Sequence, residues 1–199
     1  MPGLFGPAPN VPRGAAIALD ETEISILRSL VVQLLEMIGP GPGGEGGARD
    51  PLAALLADGP SEPPSDPALA RLFPDAYGGP GAEPDERTRA AAAEFRRYTE
   101  NDLRARKRED GLAVVRALDE LTLGGGGGGV LVLTPERSQQ WLGALNDLRL
   151  AIGARLELLD DEDSEELYAL PDSDPRKPMA MAYLWLGALQ ESLVETLTA

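Results

Sequence analysis

Apolar residues recur at helical spacing in four long stretches of this chain, separated by glycine, proline and runs of acid. The first follows a short alternating segment, Ala15 to Leu19, that suits a strand. Asp20 then opens a helix: with Glu23 three residues on it forms a capping box, and Ile24, Leu27, Leu30 or Val31, Leu34 and Ile38 supply one apolar face. Gly39-Pro40-Gly41-Pro42 stops it. Asp50 before Pro51 and Asp66 before Pro67 each place a capping carboxylate ahead of proline at the first helical position, which predicts short helices over Pro51 to Leu56 and Pro67 to Phe73. The longest stretch, about Asp85 to Leu121, contains no proline and much Ala, Arg and Glu. Its apolar positions fall out of register. Ala92, Phe95, Tyr98, Thr99 and Leu103 share one side, whereas Val114, Val115, Leu118 and Leu121 cluster about 130° away at roughly 100° per residue. That mismatch predicts a kink near Asp110-Gly111, or different packing partners for the two halves.

Gly124 to Gly129 reads as a flexible linker, because no Gly-Lys-Ser/Thr ending makes it a phosphate loop. Val130 to Leu133 suits a second strand, Thr134 and Pro135 start a helix reaching about Leu158, and a last helix covers about Pro178 to Leu197. Between them lies an acidic run, read as a solvated loop without a calcium-loop pattern. The two strand-helix segments echo each other. Shifted by 114 positions, Leu27, Val31, Leu34 and Ile38 fall on Trp141, Leu145, Leu148 and Ile152. The fold class expected is mainly α: a helical bundle of about four main helices plus short ones, with at most a two-stranded sheet made by pairing the two short strands. Residues 1–14 read as a flexible arm. Residues 15–198 read as one domain with flexible loops near 40–49, 58–65, 78–84, 122–129 and 159–176.

Trp-Leu-Gly-Ala-Leu occurs twice, at Trp141 to Leu145 and Trp185 to Leu189, and holds both tryptophans of the chain. On a helix the Trp and the last Leu lie four apart on one face, while Gly and Ala leave a low spot where another backbone can approach. The repeat therefore reads as a helix-pairing device. Trp141, Leu145, Trp185 and Leu189 form its apolar part, and Asn146, Arg149 and Gln190 its polar pairing groups.

Composition narrows the chemistry. The chain has no cysteine and no histidine, which removes disulfides, the usual zinc sites and the Ser-His and Cys-His nucleophile systems. No cofactor or metal set is visible, and Asp147 with Glu191 is a carboxylate pair without accompanying machinery, so no enzyme is expected. No apolar run reaches membrane-spanning length, which points to a cytoplasmic protein. The net charge of -15 disfavours direct tracking of phosphates. Yet eight of the eighteen bases lie between Arg87 and Arg108. Arg89, Arg96, Arg97, Arg104, Lys107 and Arg108 fall broadly opposite Phe95 and Tyr98, a strip that is the candidate contact surface for a partner or nucleic acid.

Four blocks, Leu72 to Tyr77, Glu94 to Leu103, Trp141 to Leu156 and Trp185 to Val194, resemble in order the actinobacterial AosR-type regulator family, long catalogued as a domain of unknown function. The resemblance spans Ala15 to Leu197. It implies a non-enzymatic transcription regulator of the oxidative-stress response, acting with an extracytoplasmic-function sigma factor at promoters of cysteine-biosynthesis genes. The implied partners are a sigma factor or RNA polymerase complex, with promoter DNA reached through that partner. Redox sensing in the family is attributed to cysteines; lacking them, this chain has no thiol switch. The competing expectation is a helical adaptor or scaffold, for example in regulated proteolysis. Small-residue helix faces also suit a homodimer.

Overall fold

A computed structural model describes residues 3–40, 58–78, 84–123, 127–158 and 166–199. In chain order they form β1 (Gly6–Pro7), β2 (Ala15–Asp20), α1 (Glu21–Ile38), α2 (Pro67–Leu72), α3 (Glu86–Leu123), β3 (Gly128–Leu133), α4 (Pro135–Arg155), a single 3-10 turn (Leu167–Ala169) and α5 (Lys177–Thr198). The helix expected over Pro51 to Leu56 lies outside the described residues.

The helix starts follow from their caps. Asp20 Oδ1 accepts from the Glu23 backbone N–H at 2.8 Å while Glu23 Oε2 accepts from the Asp20 N–H at 2.9 Å, closing the capping box. Asp66 accepts from Ala68 and Leu69 ahead of α2, and Thr134 from Arg137 ahead of α4. In both helices proline stands in the first turn, where its missing N–H costs nothing.

β2 and β3 pair antiparallel, with Ile17 opposite Leu131. Ile17 and Leu131 are also counterparts under the 114-residue shift, so the antiparallel strand pair has a local twofold axis through them. Burial repeats accordingly. Leu27, Val31, Leu34 and Ile38 of α1 and Trp141, Leu145, Leu148 and Ile152 of α4 all enter the core. One face of the sheet joins them through Ile17, Leu19, Leu131 and Leu133, while Val130 and Val132 face outward.

The sheet has three strands rather than two. Gly6 and Pro7 pair antiparallel with Ala16 and Ala15 inside the segment expected to be a loose arm. What holds that segment is Phe5, only 6% exposed and set edge-on to Trp141 at 5.9 Å between ring centroids. Its backbone N–H donates to Ser192 Oγ at 3.1 Å, and that hydroxyl donates to the Leu189 carbonyl. The glycine run also differs from a plain linker, since Gly128 and Gly129 pair with Asp20 and Leu19. Gly128 has φ of +139°, and a Cβ there would fall 2.6 Å from the Leu19 carbonyl oxygen, so a larger residue cannot occupy this strand start.

α3 is one continuous helix packed against both α1 and α4. The register mismatch disappears because the buried face of its N-terminal half is not the aromatic one. Arg96, Glu100, Arg104 and Lys107 continue the line of Val114 and Leu118, at about 100° per residue, while Phe95 and Tyr98 point outward. Truncating Phe5 to alanine is expected to cost about 3 kcal/mol, measured by urea unfolding of the full chain, the scale of a core phenylalanine rather than a loose arm.

Candidate functional site

Four of the six strip cations turn inward. The Arg96 side chain, with the residue 5% exposed, donates Nη2 to the Phe73 carbonyl at 2.9 Å and to Asp75 Oδ1 at 2.8 Å, and Nη1 to Glu100 Oε2. Arg104 donates Nε to Glu100 Oε1 at 2.9 Å and Nη1 to the Ile38 carbonyl at 2.7 Å, with its guanidinium 4.2 Å above the Phe73 ring. Arg108 donates Nη1 to the Leu35 carbonyl at 3.2 Å and also to that of Gly39. Lys107 Nζ donates to Asp147 Oδ1 at 2.5 Å.

The reason lies at the C-terminal end of α1. That helix has no basic residue in its last turn, and its final carbonyls carry the negative end of the helix dipole; that of Leu35 takes the Gly39 N–H, but Pro40 and Pro42 have no N–H to offer those of Glu36 and Ile38. Arg104 and Arg108 supply the donors from α3. Burial lowers the proton affinity of the Arg96 guanidinium, but Asp75 and Glu100 more than offset this, and its pKa lies above the ordinary arginine value. The expected solvent-facing strip is therefore corrected. Arg89, exposed and bonded through Nε to the Pro84 carbonyl, and Arg97, half-buried, remain at its edges. Arg97 donates to the Tyr98 hydroxyl at 2.6 Å and lies 3.9 Å from Asp58.

The repeated Trp-Leu-Gly-Ala-Leu segments bring together most of the residues assigned to them, but not by backbone contact. Trp141, Leu145 and Leu189 are buried, and Trp185 packs half-buried on the same core. Arg149 Nη1 donates to Gln190 Oε1 at 2.8 Å and Nη2 to the Tyr183 hydroxyl at 3.3 Å, tying α4 to α5. Asn146 is exposed, and its side chain bonds Asp147 of its own helix. The low spots at the glycines hold charged side chains. A Cβ on Gly143 would meet Asp110 Oδ2 at 2.6 Å, and one on Gly187 would lie 3.6 Å from Arg149 Nε.

Asp147 answers to Lys107 rather than to Glu191, which is exposed on α5. Burial pushes the Asp147 carboxyl above the usual carboxylate range, and Lys107 pulls it back without cancelling the effect. At 2% exposure it joins two helices. Burial also raises Asp110; the charges of Asp147 and Glu109 add to this, while Arg106 and Lys107 oppose it. Among the described residues no group of three or more potential ligands could hold a metal. None of the described helices is long and apolar enough to cross a membrane.

With the cations turned inward, the outer face of α3 carries aromatics. Phe95 is 45% and Tyr98 61% exposed, and Tyr77 stands edge-on to Phe95 at 5.9 Å. Exposed Glu94 and Asp102 flank them. Periodicity assigned Phe95 and Tyr98 to the interior and passed over Glu100 and Asp110. The available signal was charge alternation at Arg96, Glu100 and Arg104, spaced for ion pairs along one helix face.

The sequence pattern of a domain of unknown function, DUF2017, matches residues 7–197. The chain belongs to that family. Among curated relatives, the putative oxidative stress regulator AosR of Mycobacterium leprae is 30% identical over 205 residues, covering 96% of this chain and 85% of the relative. The oxidative stress regulators AosR of Mycobacterium tuberculosis and Mycobacterium bovis are each 34% identical over 144 residues, covering 70% of this chain and 62% of the relative. This chain thus spans less than two thirds of those two. No solved structure matches it.

For this member of the DUF2017 family, Glu100→Ala removes the buried carboxylate shared by Arg96 and Arg104 and is expected to cost about 3–5 kcal/mol by chemical denaturation, against less than about 0.5 kcal/mol for Arg89→Ala. A pH series tests the buried carboxyl. An acid whose pKa is higher folded than unfolded binds protons more tightly in the native state, so its contribution to stability grows as pH falls and is lost as pH rises through the folded pKa. The melting temperature of the wild type relative to Asp110→Asn should therefore rise between about pH 7 and about pH 4. A flat difference in calorimetry would show that the carboxyl is not desolvated.

Proposed function

We propose that this protein is a non-enzymatic transcription regulator of the oxidative-stress response, acting through contact with a basic partner, a sigma factor or the RNA polymerase complex that holds it. Its relatives' names support the regulatory role. The observation that carries the contact reading is the exposed aromatic group Tyr77, Phe95 and Tyr98 on one side of α3, rimmed by Glu94 and Asp102. Aromatic side chains with an adjacent arginine, here Arg97, are the residue types that anchor protein interfaces. The fold gains little from them, because the opposite face of α3 makes its contacts with α1 and α4. A net charge of -15 favours encounter with a basic protein surface and opposes direct engagement of phosphates, so promoter DNA is reached through the partner.

Binding of purified sigma factors and polymerase holoenzyme to the full chain, measured by interferometry, tests this reading. The double substitution Phe95→Ser, Tyr98→Ser should weaken binding by about 2 kcal/mol or more, with an unfolding midpoint close to that of the wild type. Unchanged affinity would remove the aromatic face from the interface. Recovery from lysate of protease components without polymerase or sigma factor would favour the adaptor reading instead.

A further inference from the structure

Besides its initial methionine the chain has three others, Met37, Met179 and Met181. Two of them line one apolar groove. Its walls come from α1, with Ile26, Leu30 and Met37, and from the start of α5, with Pro178 and Met179; Leu148, Ala151 and Ile152 of α4 form the floor. The cavity holds about 460 Å³. Met179 is 39% exposed, and Met37 is half-buried at the rim. One charged group enters this apolar setting: Arg155, at the end of α4, donates Nη2 to the Met37 sulfur at 3.7 Å.

A thioether sulfur is a weak acceptor, whereas a sulfoxide oxygen is a strong and strongly dipolar one. An arginine aimed at the sulfur is thus already placed for the oxidised form. We propose that Met37, with Met179 beside it, is an oxidant-responsive modification site, at which a hydroperoxide converts Met37 to a sulfoxide that Arg155 holds, making the apolar groove polar. In that step a sulfur lone pair attacks one peroxide oxygen, the S–O bond forms and the O–O bond breaks. The sulfur loses two electrons, and the departing oxygen takes the proton and leaves as water when the oxidant is hydrogen peroxide. Met37 converts from a flexible apolar side chain into a polar one in the wall of the groove, and the reaction is reversible by methionine sulfoxide reductases.

The inference takes its biological purpose from the oxidative-stress reading and its chemistry from the groove alone. The test accordingly contains no transcription readout, so either can fail without the other. The full chain is treated with hydrogen peroxide, mapped by peptide mass spectrometry, and titrated with 1-anilinonaphthalene-8-sulfonate, an anionic dye that fluoresces in apolar sites, as the groove probe, with circular dichroism monitoring helix content. Met37 sulfoxide is expected in protein of unchanged helicity, with dye affinity about tenfold weaker and restored by the reductases. Met37→Leu should keep its dye affinity through the same treatment, and Arg155→Leu should form the sulfoxide but melt at a lower temperature after oxidation than the oxidised wild type. The proposal is overturned if Met37 stays unmodified while Met181 reacts, if oxidation unfolds the chain, or if Met37→Leu loses dye binding as the wild type does.

Discussion

The carbonyls at the C-terminal end of α1 constrain how α3 packs against that helix. That helix ends at Ile38 and Gly39 with no cation of its own, and its last turn lies against α3. Hydrogen bonds from charged donors are worth about 1.5–3 kcal/mol each, and Arg104 and Arg108 make three of them to the carbonyls of Leu35, Ile38 and Gly39. Against those terms, burying a phenylalanine or tyrosine ring offers about 1.5–3 kcal/mol. The electrostatic terms prevail. α3 is rotated so that Arg104 and Arg108 reach Leu35, Ile38 and Gly39, and Arg96 and Glu100 follow them inside because they share the same helix face.

The same preference for charged contacts recurs where α4 meets its neighbours. Glycines in the repeated motif admit Asp110 from α3 at Gly143 and Arg149 of α4 itself at Gly187. A purely apolar seam of leucines tolerates sliding, since many registers bury similar area. Lys107 on Asp147 and Arg149 on Gln190 do not tolerate it, because a shift by one helical position would leave a buried charge or amide without its partner. Two layers of contact thus divide the work: leucines and Trp141 supply the driving force, and a few ion pairs select one alignment.

Local chemistry was readable in the residues themselves. The Asp20 capping box, the proline-started helices at Pro67 and Pro135, the paired strands and the apolar stripes of α1 and α4 all depend on neighbours within about four positions, and each appears where spacing placed it. The rotation of α3 was not readable by the same means. It depends on carbonyls more than sixty residues earlier, and a periodicity argument assigns aromatic residues to the interior before such demands are known. The N-terminal segment fails for a similar reason, since Phe5 is ordered by Trp141 and Ser192. Within the site, Arg149 and Gln190 were legible from their place beside the repeated motif, whereas Asn146 bonds the adjacent Asp147.

The rotation of α3 also bears on why aromatic residues stand on its outer surface. The inner face is furnished by Arg96, Glu100, Arg104, Val114 and Leu118, so the rings at 95 and 98 stand outside the core. They present apolar surface in a chain of high negative charge. The Tyr77–Phe95 contact fixes one pair of rings edge to edge, and Arg97 lies over Tyr98 at 4.8 Å. Side chains held in this way lose little further freedom on meeting a partner, so association costs less conformational entropy than it would with unrestrained rings. The interaction that hides the cations is thus the one that presents the aromatics: a single rotation of α3, dictated from the end of α1, determines which chemistry this surface offers.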